Sequence, residues 1–195
     1  FLLWREVKSA SYRKTLSAAT GDGKPIPVFV KAAIWVCVAV MYTMQVSPVF
    51  YRVQAGAQGG AAAPVGAAVM AVALVIESLA DKQKSAAKQK APGRFCDSGL
   101  YKLVRCPNYF GELLFWTGVL ISGFGALRGA VQWAVALIGY ILIVYVMFSG
   151  AKRLELRQNK SYGQDEAYRA YVARTPIILP LVPLYHLENV KFIVV

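Results

Sequence analysis

The sequence predicts an all-α, polytopic helical membrane protein, with about four transmembrane helices arranged as two hairpins and both termini on one basic face. Three observations carry that expectation. Of the 195 residues, 57% are hydrophobic and 16% are charged, whereas soluble domains carry about 25% charged residues. Four apolar stretches approach the roughly 20 residues that a helix needs to cross the hydrocarbon core. The basic residues between them alternate strongly in number. The net charge of +12 would suggest nucleic acid in a soluble chain. Here it sits in connections between apolar runs, so no nucleic-acid partner is expected.

The first stretch, residues 32–50, is free of charge and carries Trp35. The second runs over 61–79 after a Gly/Ala-rich lead and meets Glu77 near its end. The third, 109–127, contains one acid, Glu112, and the fourth, 129–151, contains none. With no water in the bilayer core, each must satisfy its own backbone as a helix. Counting Lys and Arg before, between and after these spans gives 5, 1, 7, 1 and 7, with Lys31 at the edge of the first span. That alternation is the positive-inside pattern of four spans; Lys31 can snorkel. The short connections at 51–61 and 128–131 make the two hairpins. Residues 1–183 read as one domain, with 184–195 a tail that either frays or pairs with a partner. Phe1-Leu2-Leu3-Trp4 reads as the end of an earlier span, and the start at Phe1 as processing, truncation or partial coverage. Small residues in the second span (Ala61, Ala62, Ala63, Gly66, Ala67, Ala68) allow close helix approach.

Several chemistries are disfavoured at once. There is one histidine, His186, and the three cysteines (Cys37, Cys96, Cys106) form no CxxC pair. No metal site is expected, because the spaced Cys/His ligands it needs are missing. A Ser-His-Asp hydrolase would depend on His186, with no supporting context. Gly21-Asp22-Gly23 is no dinucleotide fingerprint, so any nucleotide must bind among membrane helices.

The polar constellations lie on the expected basic face. Pro107 suits the first turn of a helix. Asn108 and Glu112 are four apart and share a face, with Trp116 a turn deeper. A carboxylate one turn inside a membrane points to function; its structural alternative is a pair with Arg105. Lys84 and Lys88 follow Asp81 at i+3 and i+7; the alternative there is an ordinary helix-surface salt bridge. Lys152, Arg153, Glu155 and Arg157 follow the fourth span, and Tyr168 and Tyr171 lie further on. Together these residues could line a cationic cavity suited to a phosphate-bearing cofactor, or bind anionic membrane lipids.

The run Gly99-Leu100-Tyr101 … Arg105-Cys106-Pro107-Asn108-Tyr109-Phe110-Gly111-Glu112 resembles the GL(W)xxSRHPNYFGE signature of steroid 5α-reductase-like membrane proteins, closest to their uncharacterised branch. Glu77 … Asp81-Lys82-Gln83-Lys84 … Lys88 and Tyr168 … Tyr171 … Thr175 … Pro180 resemble other parts of that pattern. The resemblance implies an NADPH-dependent oxidoreductase that reduces a conjugated carbon–carbon double bond of a lipid or sterol-like substrate. It implies cofactor contacts from Asp81, Lys84, Lys88, Arg105, Asn108, Tyr109, Glu112, Arg153, Arg157, Tyr168 and Tyr171. Cys106 replaces the signature histidine. The family's substrate acids come from an N-terminal half that this sequence does not display, so no catalytic residue is identified.

Two alternatives stand beside that reading. One is a non-catalytic reductase-like subunit of a large membrane complex, with other membrane subunits as partners. The other is a membrane methyltransferase using S-adenosylmethionine, similar to isoprenylcysteine methyltransferases but disfavoured by NYFGE and the absent histidine. An enzyme would suit the endoplasmic reticulum or a bacterial inner membrane; a subunit would suit the mitochondrial inner membrane.

Overall fold

A computed structural model describes residues 27–56 and 60–194. All regular structure among them is helical: α1 (Val28–Gln54), α2 (Ala62–Lys90), a 3-10 turn (Gly99–Lys102), α3 (Pro107–Ser122), α4 (Gly129–Tyr162) and α5 (Glu166–Arg174). α1, α2 and α4 are each long and apolar enough to span a bilayer, which marks an integral membrane protein. The chain divides into two compact units, 1–39 and 40–195. The described part of the first is the start of α1, with Phe29 and Trp35 exposed. The expectations for Phe1 to Trp4 and for the N-terminal basic residues fall outside the described residues.

Each helix departs from its predicted span for a physical reason. α2 continues past 79 to Lys90, and α4 past 151 to Tyr162. Hydropathy reports how much helix fits in lipid; Lys, Ala and Gln are good helix formers and carry the turns beyond it. α3 is the opposite case. Its 16 residues span about 24 Å at 1.5 Å each, short of the roughly 30 Å core. It stops because the chain turns at Gly123, against Pro48 of α1, and again at Gly125, whose φ is +79°. The second hairpin connection is therefore 123–128 rather than 128–131. The lone basic residue of the first connection acts here. The Arg52 guanidinium donates from Nε to the Ser122 carbonyl and from Nη2 to the Phe124 carbonyl at 2.8 Å, so a cation closes the negative end of α3.

α2 and α3 form the most extensive helix pair. Gly66, Ala73 and Ala80, spaced by seven, are all buried on one stripe of α2. They are met by a stripe of Gly111, Gly118 and Ser122 on α3. The helices run antiparallel and almost touch. A methyl group on Gly66 would lie 2.5 Å from the Gly118 carbonyl oxygen, and one on Gly118 would lie 2.7 Å from the Gly66 oxygen. One on Gly111 would lie 2.5 Å from Glu77 Cγ. Lipid offers no hydrophobic drive between helices, so this contact rests on close van der Waals packing. Of the small residues singled out in the sequence, Gly66 makes the contact, whereas Ala67 and Ala68 face outward. α4 adds a similar contact to α1, where Gly139 meets the Met44–Gln45 backbone.

Because the obstructing atoms are backbone, Gly66→Leu should destabilise the hairpin by more than the roughly 1–3 kcal/mol of ordinary overpacking. Ala67→Leu, one residue away on the exposed face, should leave the melting temperature in detergent unchanged. Equal melting of the two variants would disprove the close contact.

Candidate functional site

The polar end of the second unit is organised by one loop, residues 91–106, lying between α2 and α3. Gly99 sits at φ +61°, and a side chain there would collide with Gln83. Gln83 Oε1 instead accepts the Leu100 N–H at 2.8 Å. The loop then delivers Tyr101 and Arg105 into the interior. Arg105 N donates to the Pro176 carbonyl and Cys106 N to the Ile177 carbonyl, both at 2.9 Å, so the loop is stitched to the segment after α5. Pro107 starts α3, where its missing N–H costs nothing.

Arg105 and Glu155 form a buried ion pair. They are 3% and 1% exposed, and Arg105 Nη2 lies 2.9 Å from Glu155 Oε1. The same Nη2 also donates to the Tyr185 carbonyl. Glu155 Oε2 accepts the Leu187 N–H at 2.7 Å and the Glu188 N–H at 3.1 Å, and His186 Nδ1 lies 3.3 Å from Oε1. The C-terminal segment thus wraps the pair, and Leu187 and Ile193 join the core built by Cys106, Leu113, Ala151 and Ile177. Lys152 Nζ holds the last turn through the Val190 and Ile193 carbonyls, at 2.8 and 3.1 Å.

An enclosed cavity of about 30 Å³ adjoins this clasp, lined in part by Lys84, Lys88, Arg105, Asn108, Gln158 and Tyr171. The structure therefore brings together five of the residues singled out in the sequence. The other six do not line this cavity. Asp81 is exposed and makes no ion pair with Lys84 among the described residues. Glu112 turns to its own helix, accepting the Trp116 Nε1–H at 2.8 Å, and does not pair with Arg105. Tyr168 is buried in an aromatic cluster with Phe95, donates to Asn159 Oδ1 at 2.9 Å and lies beside the Arg105 guanidinium without lining the cavity. Tyr109, Arg153 and Arg157 line a different, open groove of about 530 Å³ along α4. The expected single cationic hollow is two places, because successive turns of α4 point Glu155 inward and Arg153 and Arg157 outward.

The enclosed cavity does not fit a dinucleotide. Its volume accommodates one or two waters, whereas ligand sites occupy roughly 300–1,000 Å³. Its cations are also partly committed. Lys88 Nζ donates to the Pro92 carbonyl at 3.2 Å, the Arg94 carbonyl at 2.7 Å and the Tyr162 hydroxyl at 2.9 Å, which uses all three donors of an ammonium. Arg105 Nε, Arg105 Nη1 and Tyr101 Oη are buried outside normal hydrogen-bond geometry, although the Tyr168 hydroxyl lies beside the Arg105 guanidinium. Tyr171 seals the other side, stacking on Phe95 at 5.4 Å and donating to the Tyr101 carbonyl at 2.7 Å.

Sequence reasoning missed Glu155 as the partner of Arg105, and Gln158 and Tyr101 as cavity walls. Glu155 carried a usable signal: it is the single acid in a run of Lys and Arg directly after an apolar span, where an unpaired carboxylate would be costly.

A helical membrane protein whose polar loop is clasped by its own C-terminal segment is the class that fold and site define. Within that class the chain belongs to DUF1295, a family of proteins of unknown function, which matches residues 3–175. Comparison with curated proteins and with solved structures gives no match.

Removing one partner of a buried ion pair strands the other, so Glu155→Ala should cost roughly 3–5 kcal/mol and free the C-terminal segment to protease. The double variant Arg105→Met/Glu155→Leu should recover most of that loss; a loss equal to the sum of the two single changes would contradict the pairing.

Burial pushes the Cys106 thiol up to about 12, an effect that the neighbouring Arg105 and Lys84 charges only partly offset. The unfolded thiol ionises near 8.5, so above that pH the unfolded chain binds fewer protons than the folded one. Stability should therefore fall as pH rises from about 8.5 towards 12. Buried Tyr101 and Tyr171, also shifted upward by burial, add to the fall above about pH 10. Melts at pH 7.5, 9 and 10 should show a shallower decline for Cys106→Ala than for the wild type; parallel curves would refute the assignment.

Proposed function

We propose that this chain is a steroid 5α-reductase-like membrane protein whose polar end is locked as a structural clasp, and that it serves as a non-catalytic helical subunit of a larger membrane assembly. The observation that carries this reading is the committed state of the would-be cofactor groups around a cavity of about 30 Å³. Arg105 is held by Glu155 and the Tyr185 carbonyl. Lys88 is saturated by two carbonyls and a phenol. Glu112 is held by Trp116.

The reductase-like signature itself has a packing account, residue by residue. Gly99 is required by its left-handed backbone and the Gln83 contact, and Gly111 by the approach of α2. Tyr101 and Arg105 are interior, and Pro107 starts a helix. Asn108 is the signature residue left facing the cavity without such an account. A motif explained by folding does not need a cofactor to explain it.

The NADPH-dependent reductase is the second reading. It is favoured by the convergence of Lys84, Lys88, Arg105 and Asn108 on one cavity and by the Arg105 nitrogens outside normal hydrogen-bond geometry. When bound, NADPH would supply a hydride, and this chain's Asn108 and Lys84 would be the groups left to orient it. No residue here is assigned as a proton donor. The methyltransferase reading meets the same obstacle of volume.

Calorimetric titration of the full chain in nanodiscs separates these readings. The proposal expects no saturable binding of NADPH or S-adenosylmethionine below about 1 mM, a binding free energy weaker than about 4 kcal/mol. It also expects the protein extracted from its native membrane to migrate far above the mass of a single chain. Micromolar NADPH binding that is lost on Asn108→Ala would replace this reading with the reductase.

A further inference from the structure

The groove on α4 has a design of its own. Val146, Gly150, Arg153 and Arg157 follow one another at spacings of four, three and four, which places them on one stripe of the helix. Met147 and Leu154 flank the stripe, and Tyr109 of α3 forms the facing wall. From Val146 to Arg157 the stripe runs about 16 Å along the axis. One end lies within the apolar span and the other beyond it, in the basic segment. The floor is therefore hydrocarbon-like at one end and doubly cationic at the other. At the middle the Tyr109 ring lies against Gly150, where an added methyl group would meet it at 3.4 Å, an ordinary contact.

The two guanidiniums are uncompensated. Both are exposed, and neither forms an ion pair among the described residues. No acid lines the groove. The two charged neighbours on the same helix are occupied elsewhere: Lys152 by the Val190 and Ile193 carbonyls, and Glu155 by Arg105. What remains is an open trough of about 530 Å³ with one greasy end and one end carrying two bare positive charges.

We infer that this groove is a seat for an anionic glycerophospholipid, with its phosphate on Arg153 and Arg157 and an acyl chain along Leu154, Met147 and Val146. The match is one of charge and polarity order. Paired arginines suit a phosphodiester, and the apolar stretch begins where the headgroup ends. A dinucleotide fits worse, since it is polar at both ends and would lay one of them on Val146 and Met147. The inference is separable from the proposed function: the groove and the enclosed cavity share only Leu154 as a wall, and Arg153 and Arg157 line the groove alone.

The test uses the full chain in phosphatidylcholine vesicles containing a trace of spin-labelled lipid, either phosphatidylglycerol or phosphatidylcholine. The motionally restricted fraction gives relative affinity. Juxtamembrane cations each contribute roughly fivefold towards anionic lipid, so the wild type should favour phosphatidylglycerol by roughly tenfold or more. Arg153→Gln/Arg157→Gln, two surface changes that leave the fold intact, should bring the two lipids to parity. Gly150→Leu should fill the trough and reduce restriction of both. Equal affinity in the wild type, or a preference untouched by the double arginine variant, would overturn the inference. So would release of the lipid by 1 mM NADPH, roughly the weakest binding worth detecting. NADPH binding that depends on Asn108 or Arg105 but leaves the lipid in place would defeat the proposed function and spare this one.

Discussion

The buried pair of Arg105 and Glu155 constrains everything at the polar end of this protein. Removing two charges from water costs several kcal/mol each, and their attraction recovers that only if the remaining lone pairs and protons are also used. Glu155 meets that demand by recruiting chain far from it in sequence. One oxygen takes the guanidinium and the other takes the Leu187 and Glu188 amides. The C-terminal segment is therefore held where it is by the needs of a carboxylate. Its apolar residues, Leu187 and Ile193, then complete a core that also contains Cys106. Loop, α4 and C-terminal segment form one cooperative unit, because loss of any one leaves buried polar groups of the others without their partners.

The opposite, apolar part of the second unit is held by a different force. There α2 and α3 meet through Gly66, Gly111 and Gly118 at backbone distance, with Ser122 and the Glu77 stem beside them. The two mechanisms share α3. Its first residue is fixed by the loop that carries Arg105, and its last carbonyls are closed by Arg52. A helix of 16 residues is thus pinned at both ends and along one side, which explains how it persists although it is too short to cross the membrane unaided.

The helical class was legible because the forces behind it are local. An uncharged run such as 129–151 has few options in lipid, and α4 duly begins at Gly129. Helix ends were less legible. Nothing in the hydropathy of Lys82 to Lys90 separates a continuing helix from a loop, and the end of α3 depends on Pro48, far away in the sequence. In the site, the sequence identified which residues lie at the polar end but not how they pair. Arg105 was within plausible reach of Glu112, and only the folded path of α4 sets Glu155 beside it. Likewise Arg153 and Glu155 are two apart, and a helix turns such neighbours to different faces. A list of cations on one side of a membrane cannot by itself distinguish one shared hollow from two separate sites.

That distinction decides which ligand the protein suits. Counting cations would give Lys84, Lys88, Arg105, Lys152, Arg153 and Arg157 equal weight as attractors of phosphate. Subtracting those already engaged leaves a different set. Lys88 has spent its three donors, Arg105 has a carboxylate within 2.9 Å, and Lys152 binds two carbonyls. Lys84 has no such partner among the described residues but faces the closed space of about 30 Å³, whereas Arg153 and Arg157 retain their charge and open onto a trough large enough to receive a molecule. Affinity for an anion follows the uncompensated charge and the room beside it, because a charge already neutralised by a buried partner has little left to offer a second. By that measure the attraction for phosphate lies on the outer face of α4, beside the acyl chains, and not in the closed space beneath Asn108.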